Sequence, residues 1–547
     1  MYFEEKRSWQ IPPEPVAEQD IVSCDTADMI VIGAGHSGVL ASRAAVEAGA
    51  SVILLEKSKR EFLNVIGHEV GTFNSKYAKS LGVPEYDPID IIREYQKRSI
   101  NRCNTGLIRT YAYTSGETFD WFVDALDPKY KERGIHLFMN PSPKHFEGEV
   151  NDYKNFIGTM IFNKTDKSLS LAQAIKDTIA LFEEKGGRAD FGMTACYLEK
   201  DGDRVTGVIA KDLDGNYHRY KANKGVLLAA GDFAANKEMV VDLLDEFSEL
   251  SHNLAKYNTP RMGRDGSGIR MGIWAGGHIQ PAPRGGMYTN VTGRAGYMGG
   301  AAFLKLNSHG KRYTNEGIMG FWAVGLQGAR QPEGNIVSIW DANWREDLEY
   351  QAIDHLGVDL SDEAFMTRLN EVMEEAAKAG PEGYDSLPGM PGAVTKDNKK
   401  RRMPGSWNYT VYAADTIEEL AENLGYEGKY KENFVASVAR YNELCAKGRD
   451  EDFAKDARLM RPIVKPPFFA TPTPKDVGML MVTAAGLVVD ENQAVLDDEL
   501  EPIPGLFATG NCAGEQFPVQ YSTPIGGSSL GMCHALGRAA GLHIASL

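Results

Sequence analysis

Two stretches of the chain carry residues whose types and spacing could do chemistry. Residues 514–541 read GEQFPVQYSTPIGGSSLGMCHALGRAAG, where Tyr521, Ser522 and Thr523 lead into a double glycine and an apolar, small-residue run with helical spacing. A phenol has an ordinary pKa of about 10, so it can donate its proton at neutral pH with little tuning, whereas service as a base needs a cationic neighbour such as Arg284. Residues 28–57 read DMIVIGAGHSGVLASRAAVEAGASVILLEK, in which Gly33, Gly35 and Gly38 form G-x-G-x-x-G. The first glycine permits a tight turn, the second lets backbone approach a pyrophosphate, and the third lets helix pack on strand.

The elements that must position these residues follow from the pattern. Residues 28–57 read as buried strand, glycine turn, helix and second buried strand, a βαβ unit whose helix N-terminus faces phosphates. Glu56, followed by Lys57, closes the second strand, where a carboxylate can accept hydrogen bonds from an adenosine ribose. The motif alone does not separate FAD from NAD. No second dinucleotide signature follows, and GRAGYMGG at 293–300 reads as a loop, so the single signature is read as FAD with an external reductant.

A chain of 547 residues with 43% hydrophobic content implies two or more domains. With 59 Lys+Arg against 75 Asp+Glu the formal charge is -16, which argues against nucleic acid or an anionic membrane surface as the main partner. The six cysteines are scattered without a C-x-x-C pair, so neither a disulfide framework nor a metal site is signalled. No leader pattern and no apolar run of membrane-spanning length is seen, which reads as a cytoplasmic chain unless a leader was trimmed.

Further segments form an ordered series. They are Met193-Thr194-Ala195, KANKGVLLAAGDFAANKE (221–238), RMGRDGSGIRMGIWAGGHIQ (261–280), LNSHGKRYTNEG (306–317), PIPGLFATGNCAGE (502–515) and IGGSSLGMCHALGRAAG (525–541). This series resembles the flavoprotein family of fumarate reductases, succinate dehydrogenases and 3-ketosteroid dehydrogenases over about residues 25 to 547. The resemblance implies an α/β fold, with a Rossmann-like FAD-binding domain built from both chain ends (1–281 and 483–547) and an inserted α+β cap (282–482). It implies non-covalent FAD contacts from Ala195, Gly231, Asp265, Gly510, Asn511, Gly526, Ser528, Ser529 and Leu530, and from Gly71, Thr72 and Asn74, which resemble the family's G-G-x-N. Asp232 stands where the family's A-T-G-G ends in glycine. His68 follows Glu56 by twelve residues rather than the family's eight, which argues against covalent attachment. His36, inside the glycine turn, reads as exposed and incidental.

Fumarate-type relatives hold a dicarboxylate with two arginines and two histidines. Aligned by motif, these four positions fall on Ala282, Gly320, Val482 and Pro524. The replacements are apolar or small and suit an uncharged, bulkier substrate. What remains is similar to the ketosteroid dehydrogenases, which implies Tyr521 as the group that polarises a substrate carbonyl and Tyr288 or Tyr297 as a cap tyrosine exchanging a proton, with Arg284 nearby. The expectation is an FAD-dependent oxidoreductase reducing, or in reverse forming, a C=C bond conjugated to a carbonyl, as in a ketosteroid-like or bile-acid-like enone or an aromatic acrylate. Its partners would be a small-molecule substrate and an external electron donor, a redox protein or reduced flavin. Two alternatives stay open: a fumarate-reductase-like enzyme for another small acid, and an electron-transfer flavoprotein subunit.

Overall fold

The computed structural model describes residues 6–138, 148–150, 153–163, 166–244, 263–288, 298, 301–317, 327–328, 330–334, 336–350, 360, 363–385, 410–472 and 480–547. Strand β1 (Ile21–Ile32) ends in Met29-Ile30-Val31-Ile32, and all four side chains are buried. A strand this apolar on both faces needs parallel neighbours and helices covering it. It turns through Gly33–Gly35 into α1 (His36–Glu47), which returns to β2 (Val52–Glu56), parallel to β1 with Met29 opposite Val52 and Ile32 opposite Leu55. Helix α2 (Pro88–Arg98) starts on Asp87, whose side chain accepts from the Ile89 amide, and Pro88 supplies the fixed φ of the first turn.

Strand β3 (Arg188–Phe191) lies parallel to β2, and β4 (Tyr217–Leu228) lies parallel to β1 on its other side. Strands Thr194–Asp201 and Arg204–Lys211 add antiparallel pairings beyond β4. The chain then leaves this sheet. Strand β5 (Gly285–Tyr288) pairs antiparallel with β6 (Leu480–Ala484), Gly285 opposite Ala484 and Met287 opposite Val482. Between them in sequence lies a second, antiparallel sheet of five strands in the order Leu304–Asn307, Ile336–Trp340, Phe468–Pro472, Thr410–Ala414 and Tyr384–Asp385. Helices Glu363–Ala379 and Gly428–Lys447 bury their apolar stripes against it, Met373 with Trp340 and Phe434 with Leu306. The Pro/Gly-rich run at 386–405 lies outside the described residues.

Strand β7 (Pro502–Ala508) rejoins the first sheet parallel to β4, Val226 opposite Leu506 and Leu228 opposite Ala508. The result is a mixed α/β fold in which both chain ends feed one sheet with a parallel centre. The last helix, α3 (Ser528–Ser546), lies directly on α1: a Cβ at Gly537 would stand 2.5 Å from the Ser37 carbonyl oxygen, and one at Gly541 2.2 Å from that of Ala41. The small-residue run of the C-terminus is therefore a packing surface. All six cysteines are free, and among the described residues no helix is long and apolar enough to cross a membrane.

Candidate cofactor and active site

A cavity of about 300 Å³ opens at the carboxyl ends of β1, β2 and β4, where ligands of open parallel sheets sit. Gly33, at φ +108, brings the turn so close to β4 that a Cβ would lie 2.6 Å from the Ala229 carbonyl oxygen. Gly38 packs as tightly on Gly33 itself, 2.0 Å from its oxygen. Gly35 is different: nothing lies within 4 Å of where its Cβ would stand, so bare backbone faces the cavity at the start of α1. Glu56 lines the same space and accepts from the Ala34 amide at 3.0 Å and the Ser58 amide at 2.8 Å. Lys57 donates to the Gly263 carbonyl and stands 3.8 Å from Asp265, both also on the wall.

Ala195, Gly231 and Asp265 extend this wall from the side of β4, and Asn511, Ser529 and Leu530 close it from the side of α3. Asp232 is fully buried and holds its neighbours in place. It accepts from Arg264 at 2.6 Å, from the Ala234 amide at 2.8 Å and from the Asn511 side chain at 3.3 Å. Burial pushes its pKa up while Arg264 supports its charge. The missing family glycine is thus replaced by an ion pair, and Arg264, one residue before the Asp265 motif, is a site residue that the motif did not mark.

Seven of the expected cofactor residues stand outside the lining of this cavity: Gly38, packed on Gly33 as described, and six others. Gly71 donates to the Gly527 oxygen at 2.9 Å, and Thr72 donates to Gly158 at 3.1 Å. Asn74 places both ends of its amide on the Tyr86 backbone, at 2.8 Å each. Gly510 abuts Ser37, the Gly526 carbonyl accepts from Thr159 at 2.8 Å, and Ser528 donates to Ile525 while accepting from Tyr95. These contacts fix the double-glycine turn ahead of α3, whose first residue follows Gly527 at φ +73.

His36 departs from the sequence-based expectation. It is buried, not exposed, because its ring is gripped from both edges: one nitrogen lies 3.1 Å from His534 on α3 and the other 2.8 Å from the Ile66 carbonyl. Residues 63–66, the loop so fastened, form a wall of the cavity that no motif announced.

Tyr521 is buried, with its ring packed on Phe517 at 4.8 Å and its hydroxyl accepting from the Ser529 amide at 3.3 Å. Burial pushes its pKa far above the usual value, so the phenol stays protonated. It is not part of the lining of the cofactor cavity. Arg284 is also buried, donating to the carbonyl oxygens of Gln280 at 2.7 Å and Leu243 at 3.4 Å. Tyr288 lies in β5, and Tyr297 and Gly320 fall outside the described residues. Of the substrate positions aligned above, Val482 is half-buried on the cavity wall.

The family described as FAD binding domain matches residues 28–530. The chain belongs to that family. The vinyl phenol reductase of Lactiplantibacillus plantarum is 24% identical over 547 residues, covering 95% of this chain and 97% of that protein. The NADH:acrylate oxidoreductase of Vibrio harveyi is 23% identical over 94% of this chain, and the chain spans 50% of that protein's length. Among solved structures, a 3-ketosteroid-delta4-(5alpha)-dehydrogenase from Rhodococcus jostii, in complex with 4-androstene-3,17-dione, shares the fold with a TM-score of 0.68. It is 22% identical and covers 97% of this chain and 99% of its own. The cavity fits the FAD of this family: bare Gly35 backbone at a helix start suits a diphosphate, and the Glu56 carboxylate at the end of β2 suits a ribose.

Proposed function

We propose that this chain is an FAD-dependent oxidoreductase that reduces a C=C bond conjugated to a carbonyl, or to an equivalent electron-withdrawing group, in a largely uncharged substrate. Bound FAD supplies the hydride. Tyr521 hydrogen-bonds the oxygen on which negative charge develops, and a cap tyrosine, Tyr288 or Tyr297, supplies the proton for the neighbouring carbon. Arg284 belongs to the same start of the inserted segment and acts by holding it, through the Gln280 and Leu243 carbonyls, rather than by binding an anion.

The observation that carries this reading is the state of Tyr521. A buried phenol that stays protonated has its O–H available to donate, and the Ser529 amide pointing at its oxygen polarises that O–H. Pro524 and Val482, where fumarate-type relatives have cations, support an uncharged substrate, as do the names of the vinyl phenol and ketosteroid relatives, and the ketosteroid relatives support the conjugated carbonyl. The electrons come from an external donor.

The test is anaerobic reoxidation of the dithionite-reduced holoenzyme, followed at the flavin absorbance, with 4-androstene-3,17-dione, 4-vinylphenol, acrylate and fumarate as oxidants. An enone or vinyl phenol should oxidise the flavin at least tenfold faster than fumarate. Fastest oxidation by fumarate, or none by any of the four, would overturn the reading.

A further inference from the structure

Arg98, at the end of α2, is buried, and it donates to five acceptors on three segments. Its Nε meets Glu94 one turn earlier at 2.8 Å. Nη1 reaches the Thr523 carbonyl at 3.0 Å and the Ser522 hydroxyl at 3.4 Å. Nη2 reaches the Lys154 carbonyl at 2.8 Å and the Asn155 side chain at 3.0 Å. A guanidinium has five N–H groups in a planar fork, so every one is matched and none is left to bind a substrate anion.

The same helix grips the far end of the loop. Tyr95 donates to Ser528, whose own proton goes to Ile525. Residues 155–159 close the remaining side, the Phe156 amide donating to Pro524 and the Thr159 hydroxyl to Gly526. The loop that begins at Tyr521 and ends at α3 is therefore held at both ends by α2, with Arg98 on the two residues that directly follow the tyrosine. Loops carry functional groups accurately only when a rigid element fixes them.

We propose that Arg98 is the positioning residue of the Tyr521 loop, setting where the phenol stands against the Ser529 amide without itself touching substrate. This rests on the reading of Tyr521 as the group that hydrogen-bonds the substrate oxygen. Lysine keeps the charge but offers three donors from one point, so it cannot satisfy five acceptors spread over three segments.

The test is a double-mutant cycle on holoenzyme, using whichever of the four oxidants is fastest: wild type, Arg98→Lys, Tyr521→Phe and the pair, with FAD content and Tm recorded for each. Arg98→Lys should keep its FAD and lower kcat about tenfold or more with a smaller change in KM, the scale of a mispositioned catalytic group. In the Tyr521→Phe background the same change should cost less than about twofold, because a group acting through the phenol has nothing left to position. Equal loss in both backgrounds, or full activity of Arg98→Lys, would overturn the proposal. Full activity of Tyr521→Phe would instead overturn the reading of Tyr521, and the proposal with it. Should Arg98→Lys fail to fold, Glu94→Gln, which keeps an acceptor for Nε but removes the charge, enters the same cycle with the same expected coupling.

Discussion

Nδ1 of His36 lies 3.1 Å from Nε2 of His534, and Nε2 of His36 lies 2.8 Å from the Ile66 carbonyl oxygen. A carbonyl only accepts, so His36 carries its proton on Nε2, its Nδ1 accepts, and Nε2 of His534 donates. Nδ1 of His534 is then a lone pair, buried and without a hydrogen-bond partner. Both rings are neutral. Burial pushes the His36 pKa from its ordinary 6.5 down to about 4, and burial together with His36 pushes His534 well below that ordinary value.

Stability should therefore fall in mild acid. The unfolded chain takes up a proton at His36 below pH 6.5, while the folded chain resists until about pH 4, so the contribution is full above the first value and is lost as pH drops toward the second. His36 alone accounts for about 3 kcal/mol over that window, and His534 acts in the same direction. Denaturant unfolding of the wild type and of the double variant His36→Phe, His534→Phe at a series of pH values checks this. A wild-type slope between pH 6.5 and 4 as shallow as the variant's would exclude the pair as its source.

Tyr521→Phe should bind FAD and lose turnover by about 10², the scale of removing one donor to a developing oxyanion. Its stability should drop by only about 1–2 kcal/mol, since the Ser529 amide loses its acceptor. Stopped-flow reoxidation and flavin absorbance measure both halves, and unchanged turnover would reduce Tyr521 to packing.

Glu316 is a third test, in the inserted segment. Its two oxygens meet Arg312 at 2.9 Å each, Lys455 stands 3.4 Å away, and Arg312 also reaches Asp450 at 2.7 Å. Burial opposes its charge, yet Lys455 and Arg312 outweigh that and hold its pKa below the ordinary carboxylate value. Removing one member strands the buried cations, so Glu316→Ala should cost about 3–5 kcal/mol. Urea unfolding followed by tryptophan fluorescence would show it, and a loss under about 1 kcal/mol would mean the cluster relaxes or takes in water.

The cofactor side of the fold was legible because its chemistry is local. A pyrophosphate turn needs glycines at fixed spacing, so Gly33, Gly35, Gly38 and Glu56 could be placed from thirty residues of sequence, and the ordered motifs brought Ala195, Gly231, Asp265, Asn511, Ser529 and Leu530 to the same cavity. What was not legible depends on partners far along the chain. His36 could not be read as buried, since His534 is 498 positions away, and nothing near Arg98 in sequence marks it, since its acceptors in the Tyr521 loop lie 424 and 425 residues later. The 63–66 wall has no composition that marks it, and Asn74 matched a motif whose side chain the fold assigns to Tyr86.

Gly285 and Ala484 face each other across the β5–β6 ribbon, so the long stretch between them departs and returns at adjacent positions. Such an arrangement behaves as a cassette. Its interior can lengthen, shorten or be exchanged for a relative's without altering the distance its ends must bridge, and new substrate ranges can be recruited while the nucleotide pocket, apart from Val482 in the returning strand, is built outside it.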